Sequence, residues 1–139
     1  MGETLEGLRQ SLNSLARQID QTLNERQKYF DQADEIKRIY DRMYQDKKTI
    51  QSYKKSVDTF YKKRYNDFSG NNFKYTYKPE VKNLLDAYDV VIKNIDANLD
   101  ALNDKKLSFE AKAADCLGPL GFLESSYYTV KTKIQNWTN

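Results

Sequence analysis

Asp31, Asp34 and Glu35 are the carboxylates whose spacing comes nearest to a helical metal or acid–base cluster. Lys37 and Arg38 follow at once, and no Glu-x-x-His pair lies elsewhere to complete such a site, so ordinary surface ion pairing is the expectation. The chain contains no histidine. The commonest general base and metal ligand is therefore missing, and a Ser-His or Cys-His nucleophile is impossible. Cys116 is the single cysteine, which excludes an internal disulfide. Set between Asp115 and Leu117 in a helical stretch, it reads as a small packing residue. Gly118-Pro119-Leu120-Gly121 lacks the spacing and the Lys-Ser/Thr of a phosphate-binding loop. The expectation is no catalytic residue, no cofactor and no metal site, so the chain reads as a binder and not an enzyme.

The punctuation of the sequence says how its residues are positioned. Both prolines and all but two of the five glycines fall near Phe68-Ser69-Gly70 or at Gly118-Pro119, and these are the residues that interrupt helices. The reading is all-α, a long antiparallel two-helix hairpin resembling a coiled coil. A single domain of residues 1–139 has arm one at about 3–68, a turn at about 69–78 and arm two at about 79–138. Apolar residues recur three and four apart through Leu5, Leu8, Leu12, Leu15, Ile19, Tyr29, Ala33, Ile36, Tyr40, Met43, Ile50, Val57, Tyr61 and Phe68. That is the ladder of a coiled-coil helix. Its exceptions are Thr22, Arg26, Lys47, Lys54 and Arg64. Gly70-Asn71-Asn72 is suited to a left-handed helix terminus, and Phe73 to Tyr77 reads as extended loop.

Pro79-Glu80 suits the start of arm two, because proline tolerates the first turn and the carboxylate faces the positive end of the dipole. The second ladder reads Val81, Leu84, Tyr88, Val91, Ile95, Leu99, Leu102, Phe109, Ala113, Cys116, Leu120, Leu123, Tyr127, Val130, Ile134 and Trp137. It stays in phase across Gly118-Pro119, which predicts a kinked or briefly interrupted arm there. Charge points to the same pairing. Residues 47–64 hold seven Lys or Arg against Asp58 alone, and residues 80–104 hold six carboxylates against Lys82 and Lys93. Opposite flanking charges fix the orientation of paired helices.

A two-helix hairpin buries one seam per arm, and this chain carries more apolar surface than that. Leu23, Phe30, Ile39, Tyr44, Tyr53, Phe60 and Tyr65 lie beside the first ladder, with Leu85, Ile92 and Leu117 beside the second. Apolar surface of that extent marks an interface. The expected partner is a helical protein chain, and self-association is compatible with the same surface. No run of about 18 apolar residues predicts a membrane span, and the start Met1-Gly2-Glu3-Thr4 has no secretory signal pattern. The expectation is a cytoplasmic protein unless a dedicated route exports it folded. The alternative is a structural coiled coil whose basic tip, Lys54-Lys55, Lys62-Lys63-Arg64 and Lys74 to Lys78, binds anionic lipid or nucleic acid.

A helical hairpin with an aromatic-x-Gly at its bend resembles the WXG superfamily of type VII secretion, with Phe68-Ser69-Gly70 in the place of Trp-x-Gly. Leu84-Leu85-Asp86-Ala87-Tyr88 and the run Ile92 to Leu102 look like the second helix of the small helical proteins that accompany LXG-domain toxins. The resemblance implies a targeting partner, or chaperone, of Gram-positive bacteria that binds the helical LXG region of a toxin for export. Tyr127 and Tyr128 are followed at the export-signal spacing by Lys131 and Thr132, so the resemblance further implies that a second small helical protein supplies the signal.

Overall fold

The computed structural model describes residues 3–67 and 78–137, and within them the side chains of residues 64–67 are left aside. The chain is all-α. Helix α1 spans Leu5–Asp67, α2 spans Lys78–Asp115 and α3 spans Leu117–Trp137. The turn motif Phe68, Ser69 and Gly70 and the candidate terminus Gly70-Asn71-Asn72 lie outside the described residues.

Local chemistry sets the helix ends. Thr4 caps α1: its Oγ1 accepts from the Gly7 N–H at 2.9 Å and its carbonyl accepts from the Leu8 N–H at 2.9 Å. Helix α2 opens on Lys78-Pro79-Glu80 with the acid in its first turn and closes with Lys112 in its last, both favoured by the dipole. The break between α2 and α3 has a covalent cause. Pro119 has no N–H to offer the Asp115 carbonyl, and its ring crowds that oxygen. The Cys116 N–H instead donates to the Ala113 carbonyl at 3.3 Å, a three-residue closure, before Leu120 N–H to Cys116 O at 3.1 Å restarts the helix. The second arm is thus two helices in series, bent at Cys116.

Packing divides the chain into two units, residues 1–35 with 105–139, and residues 36–104. In the first, the N-terminal part of α1 lies antiparallel to the end of α2 and to α3. Lys133 reaches Glu3 at 2.9 Å, and the Tyr29 and Phe109 rings stack with centroids 6.4 Å apart. Leu8, Ala33, Ala113, Cys116 and Leu120 are buried there. The small Ala113 and Cys116 let the helices approach closely, and the Cys116 thiol donates to the Lys112 carbonyl at 3.4 Å. Cys116 is therefore a core residue, as its setting predicts.

In the second unit, α1 from Ile36 pairs with α2 as far as Asp104. Lys47 binds Asp96 and Lys54 binds Asp89. The seven-residue step forward in α1 is matched by a seven-residue step back in α2, which fixes an antiparallel register. The α1 ladder faces inward at every described position, but the α2 ladder does not. Leu84 and Val91 are exposed, while their neighbours Leu85 and Ile92 are half-buried in the seam. The inward set is Val81, Leu85, Tyr88, Ile92, Ile95 and Leu99, the last only 4% exposed. In the first unit Lys106 fills the ladder step before Phe109, and Trp137 ends exposed. A pair of adjacent apolar residues satisfies either phase of the heptad, and the position of α1 selects one.

Two substitutions test this register. Ile92→Ala should lower unfolding stability by about 1–3 kcal/mol, the scale of a partly buried aliphatic side chain, whereas Val91→Ala should stay within about 0.5 kcal/mol; urea titrations of both distinguish the phases. Gly121 lies inside α3 with open space around a built Cβ. Gly121→Ala should therefore raise stability by about 0.5–1 kcal/mol in the same measurement, since glycine in a helix interior is penalised only by chain entropy.

Candidate interaction surface

Four polar exceptions in the α1 ladder have described side chains, and each makes a specific contact. The Thr22 hydroxyl donates to the Gln18 carbonyl at 2.9 Å, and the Arg26 guanidinium lies 4.9 Å from the Phe30 ring centroid. Lys47 and Lys54, one heptad apart in the seam, cross to Asp96 and Asp89. The Lys47 Nζ to Asp96 distance is 2.5 Å, and this hydrogen bond raises the Lys47 pKa above its ordinary value. Polar groups at seam positions cost stability but select one register and orientation. The basic run of arm one is thus partly balanced inside the molecule, with Lys62 also on Asp58 at 3.0 Å.

A carboxylate partner also perturbs one aromatic. The Tyr29 hydroxyl donates to Glu25 Oε1 at 3.2 Å, which together with burial raises its pKa. Lys112 stands 5.4 Å from the Phe109 centroid and 6.0 Å from that of Tyr29, capping the stacked pair. Arg26 Nε and Gln32 Oε1 are buried without hydrogen-bond partners, and nothing in the structure explains them. Asp31, Asp34 and Glu35 are exposed on α1. The Asp31 carboxylate accepts from Gln27 at 2.9 Å, and no cluster of potential metal ligands forms among the described residues.

The nine candidate interface residues do not form one surface. With seam positions labelled a and d, Ile39, Tyr53 and Phe60 fall at g on one flank of the second unit. Tyr44 falls at e on the other flank, with Lys48 Nζ 4.9 Å from its ring centroid. Leu85 and Ile92 are half-buried and lie in the seam itself. Leu23 and Phe30 share an e flank in the first unit, Leu23 exposed and Phe30 half-buried; Leu117, exposed, lies on the facing e flank there. Tyr65 has a side chain outside the description.

Sequence reasoning missed Leu84 and Val91. They stand at g of α2, the position that flanks g of α1 in an antiparallel pair. Tyr53, Phe60, Leu84 and Val91 are 58%, 52%, 47% and 43% exposed and share that flank. The signal was present in the sequence, since Leu84-Leu85 and Val91-Ile92 are doublets, but the doublet does not say which member faces out.

What these features define is an all-α, coiled-coil-like antiparallel helical pair with an exposed apolar flank. Comparison with protein-family models, curated proteins and solved structures finds no match to this chain. No described helix is long and apolar enough to cross a membrane.

The raised Lys47 pKa has a defined pH consequence. A cation held more tightly in the folded state contributes stability that is fully present below the unfolded lysine value of 10.5. That stability is lost as pH rises through the higher folded value. Thermal melts above pH 10.5 should therefore lose less stability in Lys47→Met than in the parent chain, and parallel losses in the two proteins would dismiss the bond as a contributor.

Proposed function

We propose that this chain is a non-enzymatic helix-binding protein, a targeting partner that pairs with the helical LXG domain of a toxin for type VII secretion. One observation carries the binding part of the reading: large apolar side chains stand half-exposed in heptad register on helices that already bury one seam. Apolar surface repeated at the helical period is completed by another helix. The secretion part is supported by the resemblance of Phe68-Ser69-Gly70 and of the α2 sequence to WXG-type helical partners. A second small helical protein in the complex and export together with the toxin belong to the same proposal, with the chain made in the cytoplasm.

The alternative is a basic tip on lipid or nucleic acid, of which Lys55, Lys63 and Lys78 stand exposed. Lys54 and Lys62 of that tip are each held by a carboxylate, which reduces the charge they offer to phosphate.

Co-expression with a toxin LXG domain tests the proposal. The expected outcome is a stoichiometric complex in light scattering, with binding of a hydrophobic dye by the free chain suppressed in the complex. A chain that stays monomeric at high concentration, takes up no dye, melts sharply alone and ignores the LXG domain overturns it.

A further inference from the structure

The middle of the second unit keeps its charges to one side of the seam, between the flanking Asp46 and Lys63 of α1 and Glu80 and Asp104 of α2. Across residues 48–60 of α1 and 83–101 of α2, every charged side chain sits at b or e except Lys54, which lies in the seam. The b and e side carries Lys48, Lys55, Asp86, Asp89, Lys93 and Asp96 among others. The opposite side, at c, f and g, bears no charge over the same stretch, in a chain of which 31% is charged. Its large members are Tyr53, Phe60, Leu84, Val90 and Val91, all exposed. The remaining positions hold only Ala, Ser, Thr and Asn, also exposed.

An a, d and g apolar pattern on both members of a helical pair is the pattern of a helix that meets more than one neighbour, since a strict two-stranded coil uses a and d alone. The two g rows present large side chains at the helical period, which the side chains of another helix match. A strand would find no free backbone donors or acceptors on a helical face to pair with. Small residues around the large ones let another backbone come close. A charge brought against this side would lose its water without meeting a counter-charge. The incoming surface must therefore be uncharged as well.

We infer that the uncharged c, f and g side of residues 48–60 and 83–101 is where this protein receives a helix of another chain, one whose docking stripe is apolar and free of charge, while the b and e side stays in water. The inference rests on the helix-binding function proposed above and specifies the face and the chemistry of its partner. It places Leu84, Val90 and Val91 in the interface and leaves Tyr44, Leu85 and Ile92 out of it. Recognition through this side depends on shape and apolar contact, so it is insensitive to salt.

The test uses the full chain with the LXG domain. Val91→Asp and Tyr53→Asp should weaken binding about 100-fold or more, as central contacts of an apolar interface do. Lys55→Glu and Lys93→Glu should change it less than about 3-fold, as rim charges do. Affinity of the parent chain should stay within about 3-fold between 0.1 and 0.5 M salt, because screening acts on charges. Circular dichroism checks each variant, and Ala97→Arg replaces any that fails to fold, because its side chain projects into solvent from mid-helix. Equal losses on both sides of the seam, or full binding by the uncharged-side variants, overturn this inference and leave the proposed function standing. A parent chain that binds no LXG domain overturns both. A homodimer that Val91→Asp separates, with no LXG complex, assigns the face to a second copy and overturns the heterologous occupant.

Discussion

One constraint governs this molecule: a helix packed against a single neighbour can bury only one stripe of its circumference. The a and d positions fill that stripe in both units, and the buried residues are few: Leu8, Ala33, Ile36, Leu99, Ala113, Cys116 and Leu120 among those described. No large side chain is fully buried among the described residues. Each apolar residue beyond the seam must then stand in water or against another molecule. The exposed Tyr53, Phe60, Leu84 and Val91 follow from geometry, since two helices offer no further interior.

The charges follow from the same constraint. With so little buried apolar area, alternative registers of two similar ladders lie close in energy, and something must separate them. Lys47 and Lys54 do so from inside the seam, because a slip of one heptad takes at least one of them from its aspartate. The exposed Lys62 to Asp58 pair contributes little stability by comparison. The paired Asp89 and Asp96 share one flank of α2 with Asp86 and Asp100, and over residues 83–101 the other flank holds neutral and apolar residues. Specificity of folding and the two-sided surface thus have one origin.

The break at Cys116 shows how local covalent chemistry and packing combine. Pro119 removes a donor and crowds the preceding turn, so the helix must stop. The ladder nevertheless continues through Ala113, Cys116, Leu120 and Leu123, all facing inward. A proline in the first turn of α3 costs few hydrogen bonds there, and the seam is preserved across the bend. Among the described residues, nothing lies within 4 Å of a Cβ built at Gly118 or Gly121.

The all-α class, both arms, the helix start within a residue of Pro79, the break near Gly118-Pro119 and the antiparallel charge match were all determined by the sequence alone. Each depends on interactions a few residues apart, or on a period repeated often enough to be unambiguous. The tertiary structure alone decided which member of Leu84-Leu85 and Val91-Ile92 turns inward. The physical reason is that neighbouring residues on a helix differ by about 100°, so an apolar doublet fits two phases equally well. Only the facing helix, locked in register by Lys47 and Lys54, breaks the tie.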